Sequence, residues 1–412
     1  MGKRISSNMS QKHILIFQSG EPLPCDSSKK RKMRAWNLVD ELLAKDCKIT
    51  LIGSRFDHTS KVHRKEIFYD DYHKNLKIHL INSPGYSKNI SFKRFLDHII
   101  LSWNLYFFLK KIKTRPDSVF IGFPPIETSF VLFRWAKKMK SQIFLDIKDL
   151  WPEIFTYTQN KPKNTILKIC FYPYFILYKH MVKNTDHLVS ISQEFIEYLS
   201  QNTNRKSNKN IVTYLTSHKT DLSFKKNIIN DDFLTIGFAG NFMDAFDFQP
   251  IRTALNNIND KVKVKFILAG DGGLRDDVEE IFTGHSNVYF LGWLDGESLD
   301  NFFESIDLFV IPLKQRNDFS LSFPNKAMDA LSRSKPILCS CSGSLTNFLE
   351  KNDCGFYFDP KSSNELTNIL NDLHADNGRI EIMKRNIENV YEKNFNHKDN
   401  YHNLAERIIE SI

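Results

Sequence analysis

The stretch 233-FLTIGFAGN-241, followed by 264-VKFILAGDGG-273, decides how the chain folds. Each is a short apolar run ending in a glycine-containing polar loop, the pattern of a strand buried on both faces of a parallel sheet. Runs of the same kind follow at VYFLG (288–292), LFVIPL (308–313), PILCSC (336–341) and GFYFD (355–359), with helical spacing between them. Parallel neighbours need a crossover, and a helix supplies it, so this half predicts a doubly wound α/β domain.

Toward the N-terminus the same alternation appears. HILIFQ (13–18) reads as a strand, RAWNLVDELLAKD (34–46) as a helix and KITLIGS (48–54) as the next strand. KIHLIN (77–82), SVFIG (118–122), QIFLDI (142–147) and HLVSIS (187–192) continue the set, with helices IETSFVLFRWAKKMK (126–140) and QEFIEYLS (193–200). The stretch 208–232 between the halves is polar and weakly periodic, which predicts a linker. The expected divisions are a first Rossmann-like domain at 1–215, a linker at 216–232, a second Rossmann-like domain at 233–395, and a helix at 396–412 crossing back to the first. The fold class expected is α/β, with two doubly wound Rossmann-like domains facing across a cleft and ligands at the carboxyl ends of the strands.

Composition sets the outer bounds. A chain of 412 residues with 41% hydrophobic and 25% charged residues has ordinary globular composition, which excludes a largely disordered protein. No apolar run reaches the roughly 18–20 residues of a membrane-spanning helix. The six cysteines (25, 47, 170, 339, 341 and 354) form no CxxC pair, and no histidine pattern completes a zinc site. They read as reduced thiols in a reducing compartment, so the expected location is cytoplasmic.

The net charge of +9 is unevenly divided: 37 Lys and Arg face 18 Asp and Glu up to Thr220, and 20 face 30 beyond it. The basic half contains KKRKMR (29–34) and two aromatic stretches flanked by cations, RFLDHIILSWNLYFFLKKIK (94–113) and LKICFYPYFILYKHMVKN (167–184). Such helices can lie in the plane of an anionic membrane, which predicts peripheral association with the inner membrane face. No helix-turn-helix, zinc-finger or RNP-type signature is present, so no nucleic-acid partner is expected.

Candidate site residues lie in the strand-end loops. Gly240-Asn241 and Gly270-Asp271-Gly272 allow the backbone to approach a ligand closely. In SFPNKAMDALSRSKPIL (322–338), Pro324 and Asn325 can start a helix with Lys326 in its first turn. A cation there opposes the helix dipole unless an anion sits beside it. Lys326 and Asp329 share a helix face, so one could hold a diphosphate and the other a ribose diol.

These segments resemble GT-B glycosyltransferases, in particular glycosyltransferase family 4, the retaining group-1 transferases. FLTIGFAGNF resembles the first strand and loop of the family's donor domain, and VKFILAGDGG the strand and loop near the nucleotide base. NVYFLGWLDGESLDNFFESIDLFVIPL (287–313) resembles its strand, helix and strand, and SFPNKAMDALSRSKPI stands where the family has its E-x7-E segment. Within the family, P-N-K-x-x-D is similar to a branch that includes amino-sugar transferases of bacterial surface-polysaccharide assembly. DIKDLWPE (146–153) resembles that branch's R-D-L-W-P-E, with Lys148 where Arg is usual. The chain departs from the family at Leu321, where the first Glu of E-x7-E would stand, and at Asp329, which replaces the second. Asp244 and Asp247 occupy the region where a basic residue usually follows the first glycine loop.

The resemblance implies a retaining transferase that uses a nucleotide diphospho-sugar, UDP-linked and carrying an N-acetylated amino sugar, without a cofactor or obligatory metal. The implied acceptor is a polyprenyl-diphosphate-linked molecule or an oligosaccharide in O-antigen or capsule synthesis. It implies donor binding by Gly240, Asn241, Gly270, Asp271, Gly272, Phe323, Pro324, Asn325, Lys326 and Asp329, and acceptor binding by Gly20, Lys148 and Trp151. Asp149, Glu153 and Lys326 are the implied catalytic residues. Two alternatives stay open, a degenerate binding subunit of the same fold and a UDP-sugar epimerase.

Overall fold

The computed structural model describes residues 11–26, 32–66, 68–69, 72–89, 91–156, 161–216, 233–376 and 378–412, the side chains of 161–163 and 397 excepted. Residues 29–31 of the basic run at 29–34 and the stretch 217–232 lie outside the described residues. The chain divides into two compact units, one formed by Met1–Thr213 with Tyr401–Ile412 and the other by Tyr214–Asn400.

The first unit holds β1 (His13–Phe17), β2 (Lys48–Ser54), β3 (Phe56–Asp57), β4 (Val62–His63), β5 (Phe68–Tyr69), β6 (Leu76–Ile81), β7 (Ser118–Phe123), β8 (Gln142–Ile147), β9 (His187–Ser190) and β10 (Asn210–Val212). Eight of these form one sheet in the order β10-β9-β8-β7-β1-β2-β6-β5, and β3 pairs with β4 in a separate hairpin. All neighbours in the large sheet are parallel except β5, which runs antiparallel to β6. β1 is central, with Leu15 opposite Thr50 on one side and Val119 on the other. Ile14, Leu15, Ile16 and Phe17 are all fully buried, because helices cover both faces of the sheet.

The second unit holds β11 (Leu234–Ala239), β12 (Val264–Ala269), β13 (Val288–Gly292), β14 (Leu308–Ile311), β15 (Ile337–Cys339) and β16 (Gly355–Tyr357). They form a fully parallel sheet in the order β13-β12-β11-β14-β15-β16. The order reverses between β11 and β14, and in the first unit between β1 and β7. Loops at such switch points diverge and leave room for a ligand at the carboxyl edge of the sheet. The sequence pattern and the structure agree on an α/β fold of two Rossmann-like sheets.

Three elements differ from the sequence reading. β10 lies inside the stretch 208–232 that reads as linker, and it extends the first sheet by pairing with β9. Only Ile211 and Val212 in it are apolar, too little to mark a strand among polar neighbours. The hairpin β3–β4 and the edge strand β5 have two residues each, shorter than any periodicity can reveal.

The helix His397–Glu410 supplies core to the first unit through Leu404, Ala405 and Ile408, which pack with Leu38, Leu42 and Ile49. Lys12 Nζ donates to Ile409 O (2.5 Å), and Lys45 pairs with Glu406.

The helix Phe92–Lys111 is apolar on two sides. Leu101, Leu105 and Leu109 are buried, whereas Phe92 (82% exposed), Leu96, Ile99, Trp103 (61%), Tyr106 and Phe107 face outward at helical spacing. Lys110 Nζ lies over the Tyr106 ring at 4.5 Å, a long cation stem laid along the stripe. A second outward set, Ile166, Ile169, Tyr172 and Ile176, runs along the helices Lys161–Cys170 and Tyr172–Asn184. The two helical stretches meet where Phe95 packs on Phe171 (5.7 Å) and Tyr174 (6.4 Å). No helix among the described residues is long and apolar enough to cross a membrane.

Candidate functional site

In the second unit the loops after β11 and β12 interlock through glycines. Gly240 has φ +145°, Gly270 +149° and Gly272 +152°, conformations that L side chains rarely adopt. A Cβ on Gly270 would fall 1.9 Å from Gly240 O, and one on Gly272 would fall 2.1 Å from Asn241 Oδ1. Gly240 N donates to Ala269 O (2.8 Å) and Phe242 N to Asp271 O (2.8 Å), so the two loops hold each other in place. Asn241 and Asp271 are exposed at the edge of this frame.

Lys326 reaches the same place from the short helix Asn325–Leu331, whose N-cap is Pro324. Its Nζ donates to Ala239 O (2.7 Å), and a Cβ on Gly240 would collide with it at 1.3 Å. The ammonium also faces the rings of Phe238 (5.0 Å) and Phe246 (5.5 Å). Burial among these rings pushes Lys326 down to about 8, partly offset by Asp329 on the same helix face. No ion pair with Lys326 is present among the described residues. A cation held in apolar surroundings beside exposed backbone is suited to an incoming anion.

Other features of this loop cluster escape the sequence. Lys314 Nζ meets Asp244 at 2.5 Å, so a cation from the loop after β14 comes to the glycine loop that lacks one of its own. Gln315 ties the loops after β14 and β15 together: its Nε2 donates to Ser320 Oγ (2.8 Å), and its Oε1 accepts from Ser342 N (2.9 Å). Gly343, at φ +152°, lies against the Ser320 carbonyl, where a Cβ would come within 2.0 Å. The glycine in SCSGS (340–344) was the available signal for that approach.

Phe323 does not present its side chain to the loop cluster. It is buried, packed between Tyr214 (5.4 Å), Phe348 (5.4 Å) and Phe395 (5.4 Å), and so anchors the segment before Lys326. Pro324, Asn325 and Asp329 are half-buried beside it.

In the first unit the loop after β1 and the loop after β8 share a buried charge cluster. Arg34 pairs with Asp146 and donates to Thr213 O, and Lys148 pairs with Glu21. Lys148 Nζ also lies 3.4 Å from Asp146 Oδ2, and Ala35 N donates to Glu21 Oε2 (3.0 Å). Arg34 and Asp146 are fully buried. Glu21 and Asp146 hold Lys148 above the usual lysine range despite burial, and Lys148 holds Glu21 below the usual carboxylate range. Lys148 is therefore spent on structure rather than presented to an acceptor. Glu21 was invisible as a partner of Lys148, and Arg34 as a partner of Asp146, because each pair lies far apart in sequence.

Trp151 is likewise buried, edge-on to Phe155 (4.5 Å) and under Arg94 (5.0 Å), so its ring is a wall rather than an open platform. Glu153 turns inward: its Oε2 is enclosed without a hydrogen-bond partner, and burial pushes the carboxyl up. Asp149 stays exposed at the carboxyl end of β8, and Gly20 borders open space. Of the acidic pair, only Asp149 is presented to solvent. Among the described residues no group of three or more His, Cys, Asp or Glu is placed to hold a metal ion.

Over essentially its whole length the chain superposes on a sucrose-phosphate synthase from Thermosynechococcus elongatus, with TM-score 0.70 at 13% identity, covering 97% of this chain and 99% of that one. It has the GT-B fold. A second GT-B match is the Anabaena protein HepE, solved in complex with UDP, with TM-score 0.62 and 14% identity over 98% of this chain and 100% of that one. Residues 234–376, which carry the glycine loops and Lys326, match the family described as Glycosyl transferases group 1. An uncharacterized glycosyltransferase of Methanocaldococcus jannaschii is 25% identical over 182 residues, 43% of this chain and 45% of that protein. The chain thus aligns with about half the length of that curated relative. The GT-B assignment puts Lys326 and the glycine loops in the group-1 segment and Asp149 in the other Rossmann-like sheet.

Proposed function

We propose that the chain is a retaining glycosyltransferase that moves a sugar from a UDP-linked donor to a lipid-linked or oligosaccharide acceptor in bacterial surface-polysaccharide synthesis. The observation that carries this reading is Lys326 Nζ, seated against Gly240 at the switch point of the second sheet, within the segment that matches the group-1 family. In the reaction the acceptor hydroxyl oxygen bonds to the anomeric carbon as the bond to the diphosphate breaks, and the proton leaves with the released UDP. Lys326 stabilises the charge that builds on the departing diphosphate, an interaction strongest in the transition state. Asp149 orients the acceptor hydroxyl. The resemblance to the P-N-K branch makes an N-acetylated amino sugar the first donor to test. The UDP bound by HepE supports uridine over other bases.

Thermal stabilisation by UDP, GDP, ADP and CDP, recorded between about pH 6.5 and 9.5, tests the donor site. UDP should raise the melting temperature most. Lys326 is a cation below about 8 and neutral above it, so the UDP shift should shrink as pH rises through that value. No shift with any nucleotide would overturn the reading.

The acceptor end is proposed to work at an anionic membrane surface on the cytoplasmic side. The segments 91–113 and 161–184 carry ten Lys and Arg and a single acid, Asp97, which is buried. That balance favours lipid over a second protein surface for the outward aromatic stripe. Burying an exposed aromatic ring contributes about 1.5 kcal/mol, so two rings correspond to roughly a hundredfold in partition. Trp103→Ser with Phe107→Ser should therefore weaken sedimentation with phosphatidylcholine–phosphatidylglycerol vesicles by about that factor while leaving the melting temperature unchanged. Unchanged vesicle binding would exclude this surface.

A further inference from the structure

At the carboxyl edge of the first sheet sits a second pair of cations, distinct from the neutralised cluster of Arg34, Lys148, Glu21 and Asp146. Lys61, between β3 and β4, lies over the Tyr86 ring at 4.6 Å, and its Nζ donates to Asn89 Oδ1 (2.5 Å). Arg94 lies over the same ring at 5.6 Å and over Trp151 at 5.0 Å. Its Nη1 donates to Asn89 O (2.8 Å), and its Nε is buried without a hydrogen-bond partner. The Tyr86 hydroxyl is fixed from behind by His58 Nδ1 at 2.5 Å.

Neither Lys61 nor Arg94 has an ion-pair partner among the described residues. Three carboxylates lie nearby without forming an ion pair with either cation: Asp57 accepts from Thr59 N (2.9 Å) and Ser60 Oγ (2.7 Å), Asp97 from Gly85 N (2.6 Å), and Glu127, which interacts electrostatically with Arg94, from the Tyr174 hydroxyl (2.9 Å). Two like charges thus share one aromatic ring and one asparagine. Burial and the neighbouring Arg94 pull the Lys61 ammonium down, and the same two cations help hold His58 neutral, at about 4. Arg94 also stands in the first turn of the 20-residue helix Phe92–Lys111, which has no acidic residue there. Cations at that end oppose the helix dipole, while the backbone N–H of Arg94 is already capped by Ser91 Oγ (3.3 Å). Repulsion and dipole act in one direction, and a multiply charged anion would relieve both.

We propose that Lys61 and Arg94 hold a phosphoryl group of the acceptor, so that the acceptor is a phosphorylated molecule. The proposal deepens the acceptor side of the transferase reading and rests on it. A phosphoryl group offers several charged oxygens, enough to meet a lysine and a guanidinium fork together.

Inorganic pyrophosphate and farnesyl diphosphate, added to the full chain saturated with UDP, test the site by thermal shift. Both should raise the melting temperature further. Lys61→Asn, which suits the φ of +58° at that position, and Arg94→Gln should each weaken both probes at least tenfold and leave the UDP shift intact. Farnesyl diphosphate binding tighter than pyrophosphate identifies a lipid-linked acceptor, and equal binding a water-soluble phosphorylated one; both support the site. The proposal fails if neither probe adds to the UDP shift, or if both variants bind the probes as the wild type does. Loss of the UDP shift itself would instead overturn the transferase reading.

Discussion

Lys326→Met should abolish UDP-dependent stabilisation and lower sugar transfer by about a hundredfold or more, without making the unliganded protein markedly less stable. The substitution keeps an unbranched stem against Phe238 and Phe246 and removes the charge. Removing one donor to a developing anion costs about 2.7–4 kcal/mol in comparable sites, which sets the size of the loss. The folded-state value of Lys326 is depressed to about 8 from the ordinary 10.5. Between those values the unfolded chain binds more protons, so wild-type stability rises with pH across that window. Below it, the buried ammonium works against folding, and methionine removes that burden at the cost of one hydrogen bond, about 1 kcal/mol. A purely structural lysine would give the reverse pattern, a lower melting temperature with the UDP shift preserved. That result would remove Lys326 from the site.

Asp146→Ala should give the largest loss of stability, about 3–5 kcal/mol, because it leaves the fully buried Arg34 without its counter-charge. For a unit of this size that corresponds to a fall of roughly 6–20 °C in the lowest melting transition. Asp149→Ala, three residues along and exposed, should change stability by less than about 1 kcal/mol. The pair separates the two carboxylates of DIKDLWPE, since one is expected to report on folding and the other on transfer. Equal melting of Asp146→Ala and wild type would mean that water or another group compensates Arg34.

The same segment shows what sequence reveals and what it hides. QIFLDI is a strand with the boundaries read from its apolar run, because a strand covered on both faces has little choice of composition. β5 and β10 sit at or beside the sheet edge, where polar residues are tolerated and the signal disappears. The pattern marks Gly240 and Lys326 separately, yet nothing in it shows that one side chain requires the other's missing Cβ. Lys148 could be read as a ligand-facing cation only while Glu21 and Asp146 were out of sight. Arg94 and His98 were absorbed into an aromatic helix, and their polar surroundings depend on Tyr86, Glu127 and Trp151, each from another loop or helix.

The helix His397–Glu410 has a consequence for biosynthesis. Leu404, Ala405 and Ile408 complete the first unit's core, yet they leave the ribosome after every residue of the unit formed by Tyr214–Asn400. The first unit cannot close before the second has been synthesised, and the unit formed by Tyr214–Asn400 has its whole sequence available first. The usual vectorial order, N-terminal domain before C-terminal domain, is inverted. A nascent chain stalled at Asn400 would carry the whole sequence of the second unit and a first unit still lacking Leu404, Ala405 and Ile408. A stop codon at position 401 would therefore strike the unit whose strands are made first.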